Sequence, residues 1–325
     1  MRILILGGTV FLGRYLVEAA LQSGHEITLF NRGQTNTELF PNINKLQGDR
    51  DGDLASLAGH KWDVVIDTSG YVPRIVEQTA QALKHTVEHY IYISSISVYA
   101  DYQELGISED YPLGVLADPH VEEINGETYG PLKALCEASL ETILPGKVLT
   151  IRPGLIVGPH DPTDRFTYWP HRIKRGGEIL VPGSKQRKLQ FIDVRDLSEW
   201  IIRMAELKKT GVYNATGPRD VLTMETFVEA CSPNEAYNWL EDEYLLEHKV
   251  KVFTELPFWI PAKDEKSAGF MQVNIDKALE AGLSFRPLSE TIRDTLAWLE
   301  QRSAPFAHGM TSLREQQLIS NYSQR

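Results

Sequence analysis

Only two cysteines, Cys136 and Cys231, occur in 325 residues. That is too few for a disulfide framework and fits a reducing compartment. Positive charge is also short: 33 Lys and Arg stand against 44 Asp and Glu, a formal net charge of −11. Such an excess repels phosphate backbones and anionic lipid heads, so nucleic acid and membrane are set aside as partners and a small-molecule ligand is expected. No apolar run approaches the ~18–20 residues of a membrane span, and the short run behind Met1 falls below the roughly 7–15 of a signal-peptide core. Together these absences predict a cytoplasmic protein. Neither an internal repeat nor a low-complexity tract occurs.

What is present is a globular composition, 42% apolar and 24% charged. Single cores stop growing near roughly 250–300 residues, so this length predicts one large domain with an appended lobe, or two domains. Over the first 150 or so residues, short β-branched runs alternate with helix-period segments, as expected for βαβ units and a parallel sheet covered on both faces. Strands are expected at Arg2–Leu6, Glu26–Phe30, Asp63–Asp67, His89–Ser94 and Lys147–Ile151. Helices are expected at Phe11–Ser23, Pro73–Lys84 and Tyr129–Leu144. After Ile151 the run RPGLIVGPHDPTDRFTYWP reads as a loop crossing a cleft. KLQFIDVRDLSEWIIRMAE reads as strand then helix returning to the main sheet, and Leu288–Gln301 as an amphipathic helix.

Gly7-Gly8-Thr9-Val10-Phe11-Leu12-Gly13 lies between the first strand and the first helix. A glycine-rich turn there brings backbone N–H groups close to a pyrophosphate, and the helix N-terminus adds partial positive charge. Val10 stands where a closer match to G-x-x-G-x-x-G has its middle glycine. The second strand ends in Phe30-Asn31-Arg32-Gly33, without the acid that would bind an adenosine ribose. A guanidinium there pairs with a 2′-phosphate, so NADP(H) is expected over NAD(H). Gly48-Asp49-Arg50 ends a short third strand near the adenine edge.

Tyr129 and Lys133 are four residues apart, so on a helix they share a face. A phenol ionises near 10, and an adjacent cation lowers that value, which would make Tyr129 an acid–base group. Thr128 is the expected N-cap, with Pro131 tolerated in the first turn. Chance alone yields such a spacing, but its order after Ser94-Ser95-Ile96-Ser97 adds weight. Those hydroxyls sit at the C-terminal end of a parallel strand, where open α/β sheets bind ligands and where a serine can donate to a developing alkoxide.

With ILILGGTVFLG, SSISVY, YGPLK, IRPGLIVGP, LQFIDVRDL and VYNATGP in this order, most of the chain resembles the extended short-chain dehydrogenase/reductases, which include nucleotide-sugar epimerases and dehydratases. The resemblance implies an α/β Rossmann-type doubly wound parallel sheet with a smaller C-terminal substrate lobe. Ser95 and Ser97 would orient and polarise the substrate, Tyr129 would be the general acid–base, and Lys133 would lower its pKa while bonding ribose hydroxyls. Gly7, Thr9, Phe11, Leu12 and Gly13 would line the pyrophosphate, and Asp49 would approach adenine. Thr68, Ser69 and Gly70, with Pro153, Gly154 and Leu155, would flank the nicotinamide. The GGTxFLG turn looks more like the atypical branch of that family, whose members include proteins that have lost catalysis. The acidic insertion Asp101–Glu127 is expected over the pocket.

The expected division is a dinucleotide domain at 1–152, rejoined by about 189–218 and 288–302. A substrate lobe would take 153–188 and 219–287, with a peripheral tail at 303–325. In the loop holding His160, Asp161, Asp164, Arg165, Trp169 and His171, no metal-ligand spacing occurs. Arg165 and Trp169, with Tyr71, are the candidate substrate contacts. The leading expectation is an NADP(H)-dependent oxidoreductase acting on a carbonyl or alcohol carbon. The alternatives are a nucleotide-sugar epimerase or dehydratase holding NAD, and a non-catalytic dinucleotide sensor or RNA-associated protein. A monomer and a homodimer are both open.

Overall fold

The apolar runs that open the chain are buried on both faces, which is what a parallel sheet flanked by crossover helices requires. The computed structural model describes residues 1–325. The first strands are β1 (Arg2–Leu6), β2 (Glu26–Asn31), β3 (Asn44–Gln47), β4 (Trp62–Asp67), β5 (Val87–Ile93) and β6 (Val148–Pro153). They are followed by β7 (Leu155–Val157), β8 (Glu178–Pro182), β9 (Lys188–Leu189), β10 (Phe191–Asp193), β11 (Gly211–Ala215), β12 (Leu222–Thr223) and β13 (Ala236–Leu240). The helices are α1 (Phe11–Gln22), α2 (Pro73–Leu83), α3 (Tyr129–Ile143), α4 (Tyr168–Lys174) and α5 (Val194–Glu206). Then come α6 (Met224–Cys231), α7 (Asp242–Glu247), α8 (Asp276–Glu280), α9 (Leu288–Leu299) and α10 (Ser312–Tyr322).

Seven strands form the central parallel sheet in the order β11-β6-β5-β4-β1-β2-β3. Side chains of β1 alternate between its faces. Ile3 and Ile5 pack with Leu12, Leu16 and Val17 of α1 and with Leu197, Trp200 and Ile201 of α5. Leu4 and Leu6 pack with Val76, Ala80 and Leu83 of α2 and with Cys136 and Leu140 of α3. The sheet is thus doubly wound, as expected. Its order reverses between β1 and β4, and the carboxyl ends of strands at such a switch point open into a crevice.

Three expectations are corrected here. The strand at Phe191–Asp193 does not return to the main sheet: it pairs with β7 in a separate two-stranded sheet. The chain rejoins the central sheet only at β11, beside β6. The last residues are not a peripheral tail, because α10 buries Leu318 and Ile319 in the second core, among Trp169, Phe227, Phe258 and Trp259. Its Glu315 carboxylate accepts from Arg172 Nε at 2.6 Å, both side chains being buried. Finally, no residue of the insertion 101–127 lines the cleft. Its backbone bonds segment 266–274 instead, through Tyr102 N–H to the Lys266 carbonyl (2.8 Å), Gly106 N–H to Gln272 (2.8 Å) and Asn274 N–H to Ile107 (2.9 Å).

Candidate active site

A cleft of ≈ 870 Å³ opens at the switch point. Its floor begins at the glycine turn between β1 and α1. A Cβ on Gly13 would lie 2.8 Å from the Gly8 backbone nitrogen, so only glycine lets α1 start this close to the strand end. Phe11 opens the helix at φ 33°, a left-handed value seldom taken by a residue with a side chain. Thr9 is buried and Val10 is half exposed at the rim. Gly7 and Thr9 through Gly13 all line the cleft, as do Thr68, Ser69, Pro153, Gly154 and Leu155; Gly70 does not.

At the end of β2 the expected partners separate. Asn31 holds the turn: its amide donates to the Gly7 carbonyl and its oxygen accepts from Gly33 N–H, each at 2.9 Å. Arg32 lines the cleft beside Gln34 and Thr35, and its guanidinium has no protein partner. Asp49 is exposed at the rim and accepts from Asp51 N–H at 3.0 Å. Arg50 turns inward, with Nη1 and Nη2 donating to the Asp67 carboxylate at 2.6 and 2.7 Å, Nη1 also reaching Ser69 Oγ and Nε Thr79 Oγ1. Burial opposes its charge, but Asp67 outweighs that and raises its pKa. Four of the five guanidinium N–H bonds are therefore spent inside the protein. Arg50 braces the cleft wall and has little left to offer a cofactor.

The opposite wall comes from β5 and α3. Ser95 Oγ donates to Ser97 Oγ at 3.0 Å and accepts from Ser97 N–H, which locks the loop after β5. A Cβ on Gly130 would overlap the Ser97 carbonyl oxygen, so a glycine after Tyr129 lets α3 seat against that loop. Thr128 occupies the N-cap position expected of it, but its side chain makes no capping bond and its hydroxyl donates to the Glu123 carbonyl. The turn is held instead by Asn125 Oδ1, which accepts from the N–H groups of Glu127 and Thr128.

Tyr129 is half-buried, with its ring 6.3 Å from that of Tyr71. Burial raises its pKa, Tyr71 adds to the rise, and the Ser95 hydroxyl and the Arg165 charge pull it back. Lys133 is not among the groups that lower it, contrary to expectation. Its Nζ donates to the Gly70 and Ile93 carbonyls at 2.6 Å each and sits 4.1 Å from the Tyr92 ring centroid. Burial pushes the Lys133 ammonium down to about 8. An ammonium has three N–H donors, so one remains for a ligand in the cleft.

On the substrate side, Tyr71 and Arg165 line the cleft and Trp169 does not. Trp169 is fully buried, its indole donating to the Pro257 carbonyl at 3.0 Å, and so packs the second core. The remaining polar residues of that loop disperse: Asp164 pairs with Arg302, and His171 stacks on Phe306. Sequence reasoning missed Phe270, Asp161 and Thr163, which also line the cleft. Phe270 arrives from more than a hundred residues beyond Tyr129, a proximity with no local signature.

Residues 3–216 match the model of the NAD dependent epimerase/dehydratase family, about two-thirds of the chain, and the protein belongs to that family of enzymes. A curated relative, the chloroplast stem-loop binding protein of 41 kDa b of Arabidopsis thaliana, is 31% identical over 254 residues, 71% of this chain. The aligned part spans 62% of that relative's length. Among solved structures, UDP-glucuronic acid 4-epimerase from Bacillus cereus in complex with NAD superposes with a TM-score of 0.66. It is 18% identical over 93% of this chain and 99% of that one. UDP-N-acetylglucosamine 4-epimerase from the same organism gives a TM-score of 0.68 at 16% identity, over 94% and 99%. At these identities the likeness is one of fold.

Proposed function

We propose that this protein carries out an epimerase- or dehydratase-type reaction on a nucleotide-sugar, with a nicotinamide dinucleotide retained through the cycle. This reverses the weight placed above on an NADP(H)-dependent reductase. The observation that carries it is the family match together with one continuous cleft joining the glycine turn to Ser95, Tyr129 and Lys133. The bound dinucleotide would take a hydride from a sugar carbon and return it. Tyr129 Oη, as the phenolate, takes the proton of the substrate hydroxyl and later gives it back, Ser97 donates to the oxygen as its charge grows while Ser95 holds Ser97 by donating to its Oγ, and Lys133 holds ribose hydroxyls with its spare N–H. The second core supplies the substrate lobe. Arg32, unpartnered beside Gln34 and Thr35, admits a 2′-phosphate and keeps NADP(H) as an acceptable cofactor. The unpaired cysteines support a reducing compartment.

The test is to release the nucleotide from purified protein, identify it, and assay UDP-sugars for interconversion. Unchanged turnover in Tyr129→Phe would overturn the roles assigned. The relative's name supports a second reading, stem-loop binding, which the net charge of −11 opposes. Salt-sensitive stem-loop binding with no turnover of any UDP-sugar would favour it.

A further inference from the structure

Arg165 is the second guanidinium in the cleft without a carboxylate partner, and unlike Arg32 it is partly buried. Nε donates to Thr163 Oγ1 at 3.1 Å, and neither terminal nitrogen has a protein partner. Thr163 Oγ1 in turn donates to the carboxylate of Asp161, which is 1% exposed, meets no cation directly and also accepts from Thr163 N–H at 2.8 Å. One hydroxyl thus separates a buried carboxylate from a desolvated guanidinium that would otherwise neutralise each other. The guanidinium is fixed through Nε, beside the Phe253 ring 5.9 Å away, while its outer edge is left unpaired in the cleft. It lines the same cleft as Tyr129, Tyr71 and Ser95, and its charge acts on the ionisation of Tyr129. Leaving a buried charge unpaired is costly, so such a site calls for an anion from outside. Two parallel N–H bonds from an Arg edge match a carboxylate or a phosphate.

We propose that the substrate bears an anionic group, a carboxylate or phosphate, next to its reacting carbon, that Arg165 clamps this group through Nη1 and Nη2, and that Thr163 is the positioning residue. The proposal rests on the nucleotide-sugar reading above and narrows it to acidic sugars.

The test is calorimetric titration of NAD-loaded full-length protein with UDP-glucuronic acid and UDP-glucose, in wild type, Arg165→Met and Arg165→Lys. Wild type is expected to bind the acidic sugar at least ~10-fold more tightly. Arg165→Met should erase that difference, and Arg165→Lys should restore only part of it, because an ammonium cannot make the paired contact. Equal weakening of both ligands in Arg165→Met would place the clamped anion in the diphosphate and overturn the location beside the reacting carbon. Unchanged affinities in Arg165→Met would overturn the clamp while leaving the nucleotide-sugar reading standing. Should wild type bind neither sugar, that reading fails, and titration with malonate and inorganic phosphate decides the clamp: binding lost in Arg165→Met supports it, and equal binding in both proteins overturns it.

Discussion

Tyr129 and Lys133 carry different burdens. Removing the Tyr129 hydroxyl takes away the group proposed to move the substrate proton, so Tyr129→Phe should lower kcat by about 10²–10⁴-fold while dinucleotide affinity stays within a factor of a few. Steady-state rates with fluorescence titration of the cofactor check both halves. In the proposed mechanism Lys133 acts as an ammonium, and burial has brought its pKa down to about 8. Protonated Lys133 is therefore complete well below pH 8 and is lost as pH rises through that value. A loss of dinucleotide affinity with a midpoint near pH 8 is the expected outcome, measured by fluorescence titration across a pH series. Burial raises Tyr129 above its ordinary value near 10, so a midpoint near 8 reports the lysine and not the phenol. That Lys133 rests on two carbonyls and not beside the phenol could not be read from an i, i+4 spacing, which specifies a shared helix face and says nothing of what the neighbouring strand offers. Arg165 was legible as a charged loop residue. That it has no carboxylate partner was not.

At the scale of elements, the glycine turn is the joint between β1 and α1. Gly13→Ala puts a methyl carbon against the Gly8 backbone and should abolish dinucleotide binding, read by titration, with the sheet's circular dichroism largely retained. The Arg50–Asp67 pair ties the loop after β3 to the end of β4, and Tyr90 Oη donates to the same carboxylate at 2.9 Å. Asp67→Asn leaves the guanidinium buried without its counter-charge and should cost about 3–5 kcal/mol in urea unfolding. The joint change Arg50→Leu with Asp67→Leu should recover part of that loss. Strands β1, β2 and β4 and helices α1, α2 and α3 were legible to within a residue or two, because apolar periodicity and the sheet's two buried faces are local signals. Arg50 lines the cleft as expected, but its ion pair was not legible, for a physical reason. Its partner lies 17 residues away at the end of the next strand, and only the sheet order brings the two together.

Across the whole molecule, two bodies of apolar packing meet at the cleft, and the C-terminal helix belongs to the second. Removing residues 312–325 strips Leu318, Ile319 and Glu315 from that core and leaves Arg172 buried without its carboxylate. Each buried aliphatic side chain contributes roughly 1.5–3 kcal/mol, so the truncated protein should lose its cooperative thermal transition or aggregate. A mainly polar tail with scattered apolar residues looks peripheral in sequence, since nothing local shows that a distant groove awaits it. The overall negative charge acts at this scale too. It disfavours a long polyanion, while the cleft itself offers backbone N–H groups, Arg32, Lys133 and Arg165 to a single small one. The proposed function requires that this cleft hold a nicotinamide dinucleotide which Tyr129 couples to oxidation of a sugar. The most direct test is to add UDP-glucuronic acid to NAD-loaded protein and follow the near-ultraviolet absorbance of reduced nicotinamide. A transient rise in wild type that Tyr129→Phe suppresses is the expected result; failure to bind the dinucleotide, or an equal rise in both proteins, would overturn the proposed function.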